Sequence, residues 1–365
     1  MLDEPKVDQG KHALVAEFLS GAKLPKYILG RNQYAEQLAK HVEIDAFIDD
    51  FTEENNFLGK PVIKSGEADK CAIVVSCALA IYPHSAMRSL ENEGINKTIH
   101  FLDVITFLDE KPLYLEGSNL SMTFIDQARH DIDLNYPQYE WLYKKLSDER
   151  SKKILLDLLN FRKNRDLSYL RAYEVDFIGQ YFEDFLGISE NEVFVDVGAF
   201  DGNTSIEFIK YCPKYKSIYI FEPSSPNLAK AKENLNKYQS VYFFPMGLSD
   251  QKAMLKFDAL SGSASSASED GKDTIQVDRL DSVLSERVTF IKMDIEGAEG
   301  KAIAGMTEHI INDHPKLAIS VYHRPKDLWL IPKQILEIRS DYSIYIRHYT
   351  EGTDETVMFF IPSSN

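Results

Sequence analysis

The chain is short of cysteine, tryptophan and positive charge. Its 365 residues include three cysteines, Cys71, Cys77 and Cys212, and two tryptophans. No metal-binding cysteine spacing is present, and three thiols do not make a disulfide framework. They read as core fillers in a reducing compartment. The first residues, Met-Leu-Asp-Glu-Pro-Lys, lack a basic stretch followed by an apolar one. No apolar run approaches the roughly eighteen residues of a membrane span. These absences lead us to expect a cytoplasmic protein without a membrane-spanning helix. Lys and Arg number 41 against 57 Asp and Glu, a formal net charge of -16. Such a surface disfavours nucleic acid and anionic lipid as partners. It leaves room for a small anionic substrate in a locally basic pocket. The length exceeds one ordinary small core and predicts two domains, or two plus a connector.

The N-terminal part, residues 1–24, is a polar extension with an amphipathic helix over 11–19. Residues 25–105 then alternate strands and helices. Strands are predicted over 26–29, 44–48, just after Gly59, over 72–76 and over 98–102, and helices over 33–41 and 85–93. That alternation predicts a parallel sheet in a small Rossmann-like domain. Its first turn, Gly30-Arg31-Asn32-Gln33-Tyr34-Ala35, keeps one glycine where a dinucleotide fingerprint has three. Asp49 stands where a ribose-binding acid would, and Arg31 is placed to meet phosphate. The missing glycines argue against NAD and for packing, acceptor binding or assembly, including a homo-oligomer. Loosely, this domain resembles the small N-terminal Rossmann-like domains of nucleotide-sugar-modifying enzymes. Residues 106–186 read as a mainly helical connector, with helices over 136–146 and 151–160 and a helical pattern continuing over 167–185.

Residues 187–365 hold the most informative stretch, Val-Phe-Val-Asp-Val-Gly-Ala-Phe-Asp-Gly-Asn-Thr over 193–204. A buried strand runs into a turn with two glycines, and a helix begins near Thr204. Asp196 would repel phosphate, and so suits the aminoacyl end of a nucleoside cofactor better than a pyrophosphate; it equally suits a helix cap. Glu222 ends the next strand, 217–221, at about the spacing, roughly 20 residues, of a ribose-binding acid. Further strands are predicted over 241–244, 253–257, 274–277, 288–295, 317–322, 343–347 and 356–361, with helices over 226–238 and 331–338. The serine-rich stretch 261–271 reads as a loop, either a lid or a plain insertion. Asp294, Glu296 and Glu299 crowd the end of the 288–295 strand, and His323 follows the next one. The order is that of a seven-stranded methyltransferase sheet.

Four segments, 194–204, Phe-Glu-Pro at 221–223, Gly-Leu-Ser-Asp at 247–250 and Phe-Ile-Lys-Met-Asp-Ile-Glu-Gly-Ala-Glu at 290–299, resemble the FkbM family of S-adenosylmethionine-dependent methyltransferases. The resemblance covers roughly the last half of the chain. It implies an α/β, Rossmann-like class I methyltransferase sheet and an O-methyltransferase acting on a hydroxyl of a sugar, nucleotide sugar or glycan intermediate. It further implies that Asp196, Gly198 and Asp201 cradle the methionine side of the cofactor. Glu222 would hold the ribose, and Ser249 and Asp250 would wall the adenine. Asp294, Glu296 and His323 fall where acceptor binding and proton removal are expected. By its ordinary pKa His323 is the first choice of base, with Glu296 second. The same carboxylates and His323 would also suit a divalent metal such as magnesium or manganese. Two other readings are weighed: an NAD-dependent sugar oxidoreductase, which lacks its glycines here, and a noncatalytic binding or assembly protein, which would not need acidic strand ends.

Overall fold

The structure, a computed structural model, describes residues 1–5, 8–20, 24–115, 120–257 and 273–363. The chain divides into two compact units, each built from separated segments. The first comprises Met1–Leu134, Leu155–Val175 and Thr350–Asp354, and the second Asn135–Ile154, Asp176–Tyr349 and Glu355–Asn365.

The first unit contains a six-stranded sheet. Its strands are β1 (Lys26–Leu29), β2 (Ala46–Ile48), β3 (Asn56–Phe57), β4 (Lys60–Ile63), β5 (Ile73–Ser76) and β6 (Lys97–His100). They lie in the order β3-β4-β2-β1-β5-β6, parallel except where β3 meets β4. β5, Ile-Val-Val-Ser, is buried along its whole length, as a parallel strand covered on both faces requires. The predicted strand 98–102 stops at His100. There the imidazole Nδ1 accepts from the Leu102 N–H at 3.1 Å and starts the helix Phe101–Glu110. Residues 350–354 return to this unit beyond the end of β5. The N–H groups of Glu351, Thr353 and Asp354 donate to the carbonyls of Ile81, Leu79 and Ala80 at 3.0, 3.2 and 3.2 Å. Glu351 is buried and takes the N–H and Oγ of Ser85, at 2.7 and 2.5 Å, in the first turn of the helix Pro83–Asn92.

The central helices are Thr123–Lys145 and Glu149–Asn164. The first is kinked at Asn135, just ahead of Pro137, whose ring removes a donor and crowds the preceding turn. The helical pattern over 167–185 does not become a helix. Only the short 3-10 turns Leu167–Leu170 and Asp184–Leu186 form. Asp166 takes the N–H of Ser168, and Asp176 takes those of Ile178 and Gly179, so local side-chain turns outcompete the helix.

The second unit holds β7 (Val193–Val197), β8 (Ser217–Phe221), β9 (Val241–Phe244), β10 (Gly247–Leu248), β11 (Ala253–Phe257), β12 (Asp273–Asp278), β13 (Phe290–Met293), β14 (Lys316–Ser320), β15 (Tyr342–His348) and β16 (Thr356–Pro362). Seven of them form a Rossmann-like sheet in the order β15-β16-β14-β13-β7-β8-β9, and β10-β12-β11 form a small second sheet. Only β16 runs antiparallel to its neighbours in the larger sheet. Phe194, Phe208 and Phe290 stack under its centre, at 4.2 Å between the first two rings and 5.0 Å between Phe194 and Phe290. The sheet order reverses between β7 and β13, and there the strand ends open a crevice. The serine-rich stretch 261–271 lies outside the described residues.

Candidate active site

Two turns make the floor of that crevice, one after β7 and one after β13. Each holds a non-glycine residue in the left-handed region, Phe200 at φ 50° and Glu296 at φ 55°. Such conformations persist where surrounding structure enforces them and concentrate at functional sites. Gly198 has φ 73°, and a Cβ there would overlap the Asp294 carbonyl oxygen. The glycine thus lets the two strand ends meet while its backbone lines the crevice. Gly297, at φ 89°, would bring a Cβ to 2.9 Å from Nε of Arg324. Above these turns lies a cavity of about 520 Å³, whose lining includes Gly198, Glu222, Ser249, Asp294, Glu296 and Arg324.

The sequence-predicted residues divide between wall and support. Asp196 is fully buried, 3.2 Å from Lys292 Nζ, and accepts from Ser205 Oγ at 2.7 Å. Lys292 also donates to the Gly198 carbonyl at 2.7 Å. The Asp196–Lys292 pair therefore braces the turn from beneath and does not line the cavity. Asp201 accepts from the Asn203 N–H at 3.1 Å, at the start of the helix Asn203–Tyr211, and it too is outside the lining. Asp250 is exposed and accepts from Ser249 Oγ at 3.0 Å. Asp201 satisfies the local backbone, as short polar side chains beside a turn do, while Asp196 and Asp250 are engaged by neighbouring side chains.

Glu222 is at the wall. Its two oxygens accept from the N–H groups of Phe200 and Ser224 at 2.9 and 2.8 Å. Burial raises its pKa, against the opposing pull of those N–H groups. Each oxygen keeps acceptor capacity for a hydroxyl. Leu255, Ile275 and Val277 of the small sheet add an apolar wall. A carboxylate for two hydroxyls beside a flat apolar slot fits the nucleoside part of S-adenosylmethionine.

The carboxylates after β13 meet the histidine after β14. His323 Nδ1 is 2.9 Å from Glu299 Oε1, and its Nε2 lies 3.3 Å from Asp294 and 3.5 Å from Glu296. Burial disfavours the charged ring, but the Glu299 hydrogen bond and the three carboxylate charges prevail and lift the pKa from 6.5 to about 10. At neutral pH His323 is an imidazolium. The three surrounding carboxylates favour this charged form, which has no free lone pair to accept a proton. One partner was missed in the sequence: Tyr181, which donates to Asp294 at 2.8 Å. Glu299, expected among the crowded carboxylates, is fully buried and takes the N–H groups of Ile295 and Gly297. Tyr181 stands far from the strand in sequence and carried no motif. Asp294, Glu299 and His323 bring donor atoms within 4.8 Å of one another. A metal there would have to displace the imidazole proton.

The family described as the methyltransferase FkbM domain matches residues 196–349. The 2-O-methyltransferase NoeI of Sinorhizobium fredii is 29% identical over 141 residues, 32% of this chain, and the chain spans 58% of that relative's length. A crystal structure of methyltransferase FkbM from Methylobacillus flagellatus is similar over 97% of this chain and 94% of that one, with a TM-score of 0.73 and 25% identity. No described helix is long and apolar enough to cross a membrane. Residues 196–349, the greater part of the second unit and the home of the whole cavity, belong to the FkbM methyltransferase family.

Proposed function

We propose that the protein is an S-adenosylmethionine-dependent O-methyltransferase acting on a hydroxyl of a sugar or sugar-containing intermediate. The observation that carries this reading is a single cavity with Glu222 at one wall and Asp294 with Glu296 at another. When bound, the cofactor supplies a methyl group on a good leaving group, so placing the acceptor oxygen is the protein's main task. Glu222 accepts hydrogen bonds from the ribose hydroxyls. Asp294 and Glu296 accept from the sugar hydroxyl, and one of them takes its proton. The His323 imidazolium faces both carboxylates, and Tyr181 orients Asp294. The relative whose name specifies 2-O-methylation supports the choice of oxygen. The first unit serves acceptor binding or assembly.

Calorimetry with S-adenosylmethionine and S-adenosylhomocysteine tests the cofactor; no heat with folded protein sinks it. Methyl-labelled cofactor with nucleotide sugars and glycan extracts, followed by mass spectrometry, tests the reaction. A label on nitrogen, carbon or a carboxylate overturns O-methylation. Activity abolished by a chelator and restored by magnesium or manganese would instead assign the Asp294, Glu299 and His323 cluster to a metal.

A further inference from the structure

We propose that the acceptor bears a phosphate or diphosphate group, held by Arg324, Lys301 and Lys326 at the mouth of the cavity. This rests on the methyltransferase reading above and names the acceptor's chemistry. The chain carries an excess of acid, yet these three cations line one cavity. Among the described residues none of the three forms an ion pair or a side-chain hydrogen bond. Other arginines of the chain are spent on carboxylates: Arg31 on Asp49 and Glu54, and Arg347 on Asp148.

The described acids around the cavity form no ion pair with the trio, and only Asp327 acts on Arg324 through its charge. Asp294 and Glu296 face the His323 imidazolium, and Glu222 takes two backbone N–H groups. Asp327 accepts from the Arg324 N–H at 3.1 Å, and burial pushes its pKa up to about 6. Arg324 is also shaped into place: the missing Cβ of Gly297 makes room for its guanidinium. A planar guanidinium fork matches phosphate oxygens, and the lysines add point charge. The cofactor's one carboxylate would engage one cation at most, leaving two for a group of charge near -2. A neutral sugar offers no charge for them.

The test uses the full-length protein saturated with S-adenosylhomocysteine and calorimetry with inorganic pyrophosphate, glucose 1-phosphate, UDP-glucose, glucuronate and a polyprenyl diphosphate in detergent micelles. Pyrophosphate and at least one phosphorylated sugar are expected to bind. Arg324→Gln is expected to weaken them by about tenfold or more, the scale of a charge-assisted hydrogen bond. Adding Lys301→Gln and Lys326→Gln should remove the rest, while S-adenosylhomocysteine still binds and loses no more than the one contact of its carboxylate, about tenfold in affinity. All three side chains are exposed, so the variants should fold as the wild type does. Binding of UDP-glucose alone identifies a soluble nucleotide sugar; binding of the polyprenyl compound alone identifies a lipid-linked one. Absence of pyrophosphate binding, unchanged affinity in the triple variant, or glucuronate binding as tightly as glucose 1-phosphate overturns the proposal. Loss of S-adenosylhomocysteine binding by the wild type would instead sink the methyltransferase reading itself.

Discussion

Two largely parallel sheets in this chain differ at the ends of their strands. In the first unit, the backbone carbonyls beyond β5 and the first turn of the helix Pro83–Asn92 are taken up by the chain's own residues 350–354. Glu351 puts a carboxylate against the N–H of a helix start, where such sheets elsewhere receive a phosphate. Even the glycine is needed there, because a Cβ on Gly352 would overlap the Leu79 carbonyl oxygen. In the second unit, the strand ends at β7 and β13 stay open over about 520 Å³. One architecture thus serves as a socket for its own polypeptide or as a ligand site. What separates the uses is whether the chain's own residues occupy the space beyond the strand ends.

The sharpest way to break this contrast is to alter the open crevice. Asp294→Asn should lower turnover by about 10²- to 10⁴-fold, the range of a positioned proton acceptor, with cofactor affinity nearly unchanged. Steady-state kinetics read that, and unaltered turnover would remove Asp294 from the chemistry.

A second test is pH. His323 has a folded pKa raised to about 10 from 6.5, so its contribution to stability is complete below pH 6.5 and is lost as pH climbs to about 10. Denaturant melts should show stability falling across that window, by at most about 1.4 kcal/mol per pH unit for one proton. His323→Gln should flatten the slope. Turnover should show no acid limb near the ordinary histidine pKa; finding one would restore His323 as the base.

Next in size, Glu222→Gln should weaken S-adenosylhomocysteine binding by about 1.5 to 3 kcal/mol, the scale of hydrogen bonds to a charged group. Titration calorimetry decides it. The smallest effect belongs to the filled socket. Glu351→Gln should cost about 1 to 2 kcal/mol of stability, through the lost charge at Ser85 and the helix start, and leave cofactor affinity alone. A variant that gained phosphate binding in the first unit would show that Glu351 had been occupying an anion site.

The sheet was legible in the sequence because buried parallel strands are short apolar runs that end in recognisable turns. Val193–Val197, Ser217–Phe221 and Val241–Phe244 are such runs. Residues 167–185 misled, because apolar periodicity says nothing of the Asp166 and Asp176 side chains that capture the backbone. At the site, the ends of strands located Glu222, Asp294 and Glu296 near one crevice. They did not identify Asp196 as the carboxylate that pairs with Lys292, since that pairing joins two strands.

By itself the sequence determined the FkbM motifs, the alternation of strands and helices and the scarcity of spare positive charge. These depend on residue type and near-neighbour spacing. Tertiary structure alone decided which acids face the cavity, that His323 sits among three carboxylates, and that Glu351 fills the first unit's strand ends. Burial and charge proximity are properties of groups brought together from distant positions, and no local pattern encodes them.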